Sequence, residues 1–139
     1  MPTAPRSSAA ELPVRPGEEP WGMDELSEVR AQLESEAADL RTEIEEAEAQ
    51  IAERLTNSVQ DAGDDEADTG SKVYEREQEI ATIQRARGLL DQTNRALERI
   101  ETGTYGACES CGKPIGKARL MAYPRATLCV ACKQREERR

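Results

Sequence analysis

The feature that most constrains the fold of this chain is an apolar stripe that runs through residues 23–60. Its members recur every three or four residues, and neither proline nor glycine interrupts the segment. They are Leu26, Val29, Leu33, Ala37, Leu40, Ile44, Ala47, Ile51 and Leu55. Such spacing is typical of a long helix that buries one face against a second helix. At ~1.5 Å per residue, the segment predicts a helical arm on the order of 55 Å long.

A second apolar stripe follows in residues 72–101, and a short polar stretch separates it from the first. Its members are Val73, Ile80, Ile83, Ala86, Leu90, Leu97 and Ile100. The polar stretch contains Gly63 and Gly70 and is crowded with acidic residues. Two long stripes joined by a short polar turn predict an antiparallel coiled-coil hairpin. The alternative is that each stripe pairs with another copy of the chain.

The composition limits what else the chain can bury. Hydrophobic residues make up 37% of its 139 residues, with no Phe, one Trp and three Tyr. Because such a chain cannot fill a large globular core, its stability must come from helix pairing and from a local crosslink. Residues 1–20 contain five of the seven prolines, which predicts a disordered N-terminal arm. Trp21, directly after this arm, is a candidate for docking the start of the folded part.

All four cysteines fall within residues 108–132, as two pairs separated by seventeen residues. Each pair has C-x2-C spacing, which lets two thiolates converge on one ion, and two such pairs complete a tetrahedral S4 site. The separation of the pairs lies within the range of zinc modules. The sequence therefore predicts one structural zinc ion with four ligands, Cys108, Cys111, Cys129 and Cys132. A redox or disulfide-exchange role is the alternative. The nearby cations that could offset the thiolate charge are Lys113, Lys117, Arg119, Arg125 and Lys133.

The N-terminus has no apolar run like that of a secretory signal, and no stretch approaches the roughly 20 apolar residues of a membrane span. We therefore expect a cytoplasmic protein, whose reduced thiols favour metal binding over disulfides. The chain has no histidine and no Ser-centred or phosphate-cradling glycine motif. Because acid–base and nucleophilic catalysis thus lack a candidate constellation, the sequence predicts that the chain is not an enzyme.

The charge is unevenly distributed along the chain. Residues 1–100 carry 24 acidic and 11 basic residues, whereas residues 101–139 carry 8 basic and 4 acidic residues. An acidic body argues against wrapping DNA by bulk charge and favours a basic cleft on a protein partner. Two alternatives stay open: a zinc-ribbon module that binds nucleic acid directly through its basic C-terminal segment, and a coiled-coil assembly protein.

These patterns together predict a mainly α fold in three parts. Residues 1–20 form the disordered arm, and residues 21–101 form the coiled-coil hairpin with an acidic tip near residues 61–70. Residues 102–139 form a small four-cysteine zinc finger that ends in a C-terminal helix.

The cysteine segment and its surroundings resemble the DksA/TraR family of bacterial transcription regulators. The shared residues are Tyr105-Gly106, Cys108-Glu109-Ser110-Cys111-Gly112, Ile115-Gly116, Arg119-Leu120, Ala122, Pro124, Leu128-Cys129 and Cys132-Lys133. The resemblance covers the finger closely and the hairpin in its layout, but it leaves out residues 1–20.

The resemblance implies a function for the whole hairpin. In that family the coiled coil enters the secondary channel of RNA polymerase, and an acidic tip reaches the region of the catalytic centre. Members alter the lifetime of initiation complexes, often together with the alarmone ppGpp, and they do not bind promoter DNA. By resemblance, the partner of this chain is RNA polymerase, and the chain itself is expected to be a monomer with a folded hairpin.

Two aspartates match the acidic tip of the family. Counting back from Cys108 without gaps, the tip pattern D-x-x-D-x-A falls on residues 65–70, where Asp65 and Asp68 supply both acidic positions. Gly70 stands where the family has alanine. The simpler interpretation is that these acids only cap the second helix and favour its dipole.

The alarmone pocket of the family matches only in part. Leu89 and Lys133 occupy positions where the family pocket has Leu and Lys, so the resemblance makes them possible ppGpp contacts. Gln92 and Tyr123 occupy positions where the alarmone pocket of the family has basic residues. Because a pocket for a multiply charged phosphate depends on such cations, we expect this chain to respond poorly to ppGpp.

Overall fold

The structure is a computed structural model, and it describes the backbone of residues 9–60 and 66–138. Four helices occupy these residues: α1 (Met23–Gln60), α2 (Glu66–Thr102), α3 (Lys117–Ala122) and α4 (Val130–Glu137). An isolated antiparallel bridge joins Ala107 and Pro114, in the loop between α2 and α3. The predicted mainly α fold, with two long helices, a cysteine finger and a C-terminal helix, is confirmed.

The chain divides into two compact units. Residues 37–91 form one, called here the hairpin unit, and residues 1–36 with 92–139 form the other, called here the finger unit. Each unit contains a stretch of both long helices. No helix within the described residues has the length and apolar character that a membrane span requires.

The core of the hairpin unit is small and formed by facing residues of α1 and α2. Leu40 and Ile44 of α1 are buried together with Ile83 and Ala86 of α2. The predicted stripes therefore meet within one chain here. Three half-buried residues extend this contact, Ala47, Ile51 and Leu90.

The second stripe departs from its prediction toward the N-terminal end of α2. Val73 and Ile80 are 47% and 42% exposed, so they do not lie in the interface. Stepping back from Ile83 by four and then three residues, the inward positions are Glu79 and Arg76, and both are half-buried. The inward-facing positions of α2 thus continue toward its N-terminal end, but charged residues fill them. Val73 and Ile80 lie to the side of these positions, where they are exposed.

The finger unit has the larger core. Trp21 and Tyr105 pack against each other with ring centroids 6.0 Å apart, and both are almost completely buried. The Tyr105 hydroxyl donates a hydrogen bond to the Pro124 carbonyl at 2.9 Å. Other buried members of this core are Leu26, Val29, Leu33, Ala96, Ile100, Ile115 and Leu120.

Residues 9–20 are ordered against this core, which differs from the predicted disordered arm. Ala9 and Leu12 are 3% and 4% exposed, and Val14 packs beside them. The proline content suggested disorder, but a few apolar side chains in the segment find a buried surface. Trp21 docks as the sequence suggested. Residues 1–8 lie outside the described part of the chain.

Candidate metal centre

The four cysteines of the finger unit converge on one point. The Sγ atoms of Cys108, Cys111, Cys129 and Cys132 all lie within 4.8 Å of one another, and all four are free thiols. The Sγ atoms of Cys111 and Cys129 are 3.8 Å apart. Four sulfurs at ~2.3 Å from a tetrahedral zinc ion would be about 3.8 Å from each other. The donor set and its spacing therefore fit a tetrahedral metal ion.

A tight turn after α2 carries the first pair. The Cys108 N–H donates to the Lys113 carbonyl at 2.8 Å, and the Gly112 N–H donates back to the Cys108 carbonyl at 2.9 Å. Gly112 has a φ of 79°, which a residue with a side chain rarely adopts. This turn brings the side chains of Cys108 and Cys111 to the same side.

Helix α4 carries the second pair. Cys129 is the residue that precedes α4, and Cys132 lies in its first turn. The Lys133 N–H donates to the Cys129 carbonyl at 2.9 Å, so the two cysteines are held by the helix itself. The two pairs are therefore supported differently, the first by a turn and the second by a helix start.

The thiols are too close together to ionise independently. Burial would raise the pKa of Cys108, but backbone N–H groups of Cys111, Cys129 and Ser110 lower it to about 6. The Lys113 N–H lowers the pKa of Cys111, yet desolvation and the three other cysteine side chains together raise it to about 11. Such divergence is expected where like charges share one site. A divalent cation would allow all four thiols to ionise, because it opposes their mutual repulsion.

Arg135 is a cation at this centre that the sequence analysis did not select. Its Nη2 donates to Sγ of Cys132 at 3.0 Å. The sequence could have indicated this contact, because Arg135 follows Cys132 by three residues. On a helix this spacing places both side chains on one face. Of the cations that were selected, Lys113 lines a cavity beside Cys111 and Cys129.

Two other selected cations are engaged elsewhere in the finger unit. Lys117 pairs with Glu25 at 2.6 Å, and Arg125 pairs with Glu36 at 3.2 Å. Their role here is to tie the finger to α1 rather than to offset the thiolate charge.

The predicted alarmone residues are only partly brought together. Gln92, Tyr123 and Lys133 line one open cavity of about 420 Å³. Leu89 is not among its lining residues; it belongs to the hairpin unit and is 36% exposed. Other charged residues around the cavity are Arg95, Glu109, Arg119 and Glu136.

The predicted acidic tip falls at the edge of what the structure describes. Asp65 lies outside the described residues. Asp68 belongs to α2, but its side chain also lies outside the described part. The role assigned to these two aspartates stays a prediction.

Comparison with known proteins identifies the class of the finger. The family model of the prokaryotic dksA/traR C4-type zinc finger matches residues 103–138. This range contains all four cysteines and both elements that position them.

Comparisons over longer stretches extend the match to the helices. The RNA polymerase-binding transcription factor DksA of Escherichia coli K12 is 32% identical over 119 residues, which cover 86% of this chain and 76% of that protein. The Caulobacter vibrioides NA1000 / CB15N protein of the same name is 47% identical over 75 residues, or 54% of this chain. That match covers only 53% of the Caulobacter protein, about half of its length. The solved structure of transcription factor DksA2 from Pseudomonas aeruginosa superposes with a TM-score of 0.67. It is 32% identical and covers 83% of this chain and 84% of that one.

The chain belongs to the DksA/TraR family, as its sequence motifs predicted. The relatives are transcription factors, and the family is not enzymatic. The prediction that the chain is not an enzyme is therefore confirmed.

Proposed function

We propose that this chain is a transcription regulator that binds RNA polymerase. The observation that carries the proposal is the 32% identity to the Escherichia coli factor across 119 residues, which include stretches of both long helices as well as the finger. The fold similarity to the Pseudomonas aeruginosa factor covers a similar share of the chain. Similarity confined to the finger would support only a shared metal site, whereas this one extends to the hairpin.

In this proposal the hairpin enters the secondary channel of the polymerase. Its acidic tip, with Asp65 and Asp68, lies near the catalytic centre and changes the stability of initiation complexes. A mainly acidic body, with 24 acidic against 11 basic residues in 1–100, suits a basic cavity on a protein. The burial of stripe residues within one chain supports a monomeric hairpin rather than an assembly of several chains.

The proposed metal is one structural zinc ion held by all four cysteines. Zinc would supply a rigid tetrahedral crosslink between the turn of the first cysteine pair and the start of α4. Four thiolate ligands leave no open position for a substrate, which agrees with a structural role. Arg135 contributes positive charge at Cys132, where it donates its hydrogen bond.

We expect the alarmone ppGpp to add little to this function. In the cavity that Lys133 lines, Gln92 uses its amide to donate to the Arg125 carbonyl at 2.9 Å. Arg95 is paired with Glu109 at 3.2 Å, and the same carboxylate pairs with Arg99 at 3.6 Å. A ligand with several phosphates would have to compete for Arg95 and would also meet Glu136.

A pull-down with purified core RNA polymerase tests the proposal directly. The tagged chain is expected to retain the polymerase and not a labelled DNA duplex at the same concentration and salt. Retention of the duplex without the polymerase would favour the alternative of a zinc ribbon that binds nucleic acid. Sedimentation of the free chain separates the remaining alternative, because a coiled-coil assembly protein would sediment as an oligomer.

A further inference from the structure

An N-terminal segment packs on the finger unit against residues that flank the first cysteine pair. This segment, residues 9–22, is called the N-terminal strap. We propose that the strap holds the turn of the first cysteine pair closed, and that Glu18 is the positioning residue that slows loss of the metal. The inference rests on the zinc site proposed above.

Glu18 connects the strap to the residues that follow the first cysteine pair. Its carboxylate accepts hydrogen bonds from the backbone N–H groups of Lys117 at 3.0 Å and Ala118 at 3.2 Å. It also accepts one from the N–H of Arg15 at 2.8 Å, within the strap itself. The pKa of Glu18 is lowered because the N–H groups of Lys117 and Arg15 favour the charged carboxylate. One ionised side chain therefore joins two segments about a hundred residues apart in sequence.

Lys117 makes the reciprocal contacts from the finger side. Its Nζ donates to the Pro20 carbonyl at 3.3 Å and pairs with Glu25 at 2.6 Å. The same ammonium lies 5.7 Å from the centroid of the Trp21 ring. Only 13% of this side chain is exposed, so these contacts are shielded from solvent more than a surface ion pair would be.

The strap also lies against two glycines, one on either side of the first cysteine pair. A Cβ added to Gly106 would be 3.3 Å from the Pro13 carbonyl oxygen, and one added to Gly116 would be 3.0 Å from Cδ of Arg15. Both glycines have positive φ, 99° and 115° respectively. The absence of side chains at these positions lets the strap approach both ends of the turn.

The two cysteine pairs are supported by different kinds of structure, and the contacts of the strap are with the segment of the first pair. Cys108 and Cys111 lie in a turn held by local hydrogen bonds and by the bridge between Ala107 and Pro114, and the N–H of Glu109 between them donates to the Thr127 carbonyl at 2.9 Å. Cys129 and Cys132 are instead fixed by the start of α4. Loss of a metal ion from four thiolates requires some ligands to move away, and loosely supported segments open most readily. The strap thus acts on the half of the site that a turn supports, where a ligand can move away without unwinding a helix.

Zinc release from the full-length protein tests the proposal. The variants are Glu18→Ala and Glu18→Gln, and the matched controls are Glu19→Ala and Glu19→Gln, which make the same charge change at the exposed neighbouring residue. Release is followed with an excess of a chromophoric chelator, after zinc content and helical circular dichroism have been measured for each protein.

We expect Glu18→Ala to release zinc on the order of tenfold faster than the parent, since charge-assisted bonds to two finger N–H groups are lost. Glu18→Gln, which keeps a neutral acceptor, is expected to fall between Glu18→Ala and the parent. Both Glu19 variants are expected to stay within about twofold of the parent, as surface changes usually do.

Three results would overturn the inference. Equal zinc release rates for the Glu18 and Glu19 variants, with zinc present in the parent, would overturn the proposed role of the strap and leave the zinc proposal intact. Faster release only in proportion to lost helicity would mean a general loss of stability instead of a local opening. A parent protein without zinc would overturn the zinc proposal together with this one. If the Glu18→Ala variant does not fold, the Glu18→Gln comparison decides.

Discussion

Removing the Tyr105 hydroxyl should destabilise the finger unit in a way that depends on pH. Tyr105 is 2% exposed, and its hydroxyl donates to the buried Pro124 carbonyl at 2.9 Å. In the Tyr105→Phe variant this carbonyl keeps its burial and loses its donor. An unsatisfied buried acceptor costs on the order of 1–3 kcal/mol, so the free energy of unfolding at pH 7 should fall by about that amount.

The pH dependence follows from the pKa of the same side chain. Burial raises the pKa of Tyr105 far above its ordinary value of 10.0, with Arg99 opposing the shift. Because the pKa of Tyr105 is higher in the folded state, its contribution to the free energy of unfolding is fully present below about pH 10. Above this pH the unfolded tyrosine ionises and the contribution is lost. At pH 11 the parent should have lost about 1.4 kcal/mol through ionisation of the unfolded tyrosine, a loss that the phenylalanine variant does not undergo. The difference between the two proteins should shrink accordingly.

The single tryptophan offers a local reporter for this experiment. Trp21 packs on Tyr105 in the finger unit, so its fluorescence in urea reports the unfolding of this unit. Tyr74→Phe is the matched control, because Tyr74 is 63% exposed and lies in the hairpin unit. Equal urea midpoints for the parent and Tyr105→Phe at pH 7 would refute the reasoning, as would a difference that does not shrink above pH 10.

Three further predictions address the metal, the tip and the alarmone. Replacing any one of the four cysteines by serine should abolish tight zinc binding while the helical circular dichroism is largely kept; elemental analysis and dichroism check this, and zinc retention would contradict it. The double change Asp65→Asn and Asp68→Asn should cost about 1 kcal/mol or less of stability, since asparagine caps nearly as well as aspartate. Binding to polymerase should persist while the effect on open-complex lifetime is lost; retained binding with full activity would mean that these two carboxylates have no role at the catalytic centre. In vitro transcription from a stable-RNA promoter should change little on adding ppGpp, provided that the polymerase lacks an alarmone site of its own, and strong synergy would show that residues other than Gln92 and Tyr123 complete a pocket.

The elements of this fold were largely predictable because their signals are local. Helix α1 begins at Met23 and ends at Gln60, and its stripe from Leu26 to Ile44 is buried as predicted. The cysteine cluster was equally accessible, since the C-x2-C spacing reflects the geometry of one metal ion. The stripe reflects the period of a helix, and the cysteine spacing reflects the distance between two ligands of one ion. Both can be recognised without knowing how the rest of the chain folds.

The errors arose where the environment of a residue is set by distant segments. Leu12 lies among prolines and looks like part of a disordered arm, but it is buried because the finger unit offers it an apolar surface. Val73 and Ile80 look like stripe members in the sequence. The buried residues from Ile83 onward, however, decide which face of α2 points toward α1, and Val73 and Ile80 are not on that face. Arg135 could have been chosen only by considering which helix face the second cysteine pair occupies.

The charged inward positions near the start of α2 have a consequence for how the hairpin unit opens. Glu79 pairs with Arg54 of α1, and farther along α2 Arg87 pairs with Glu48. Partly exposed pairs of this kind hold helices together weakly and are screened by salt, whereas burial around Ile83 is insensitive to ionic strength. Within the hairpin unit the contact around Glu79 is therefore mainly ionic, whereas around Ile83 it is mainly apolar and the Arg87–Glu48 pair only adds to it. At high ionic strength the contact around Glu79 should separate first, and the contact around Ile83 should stay closed.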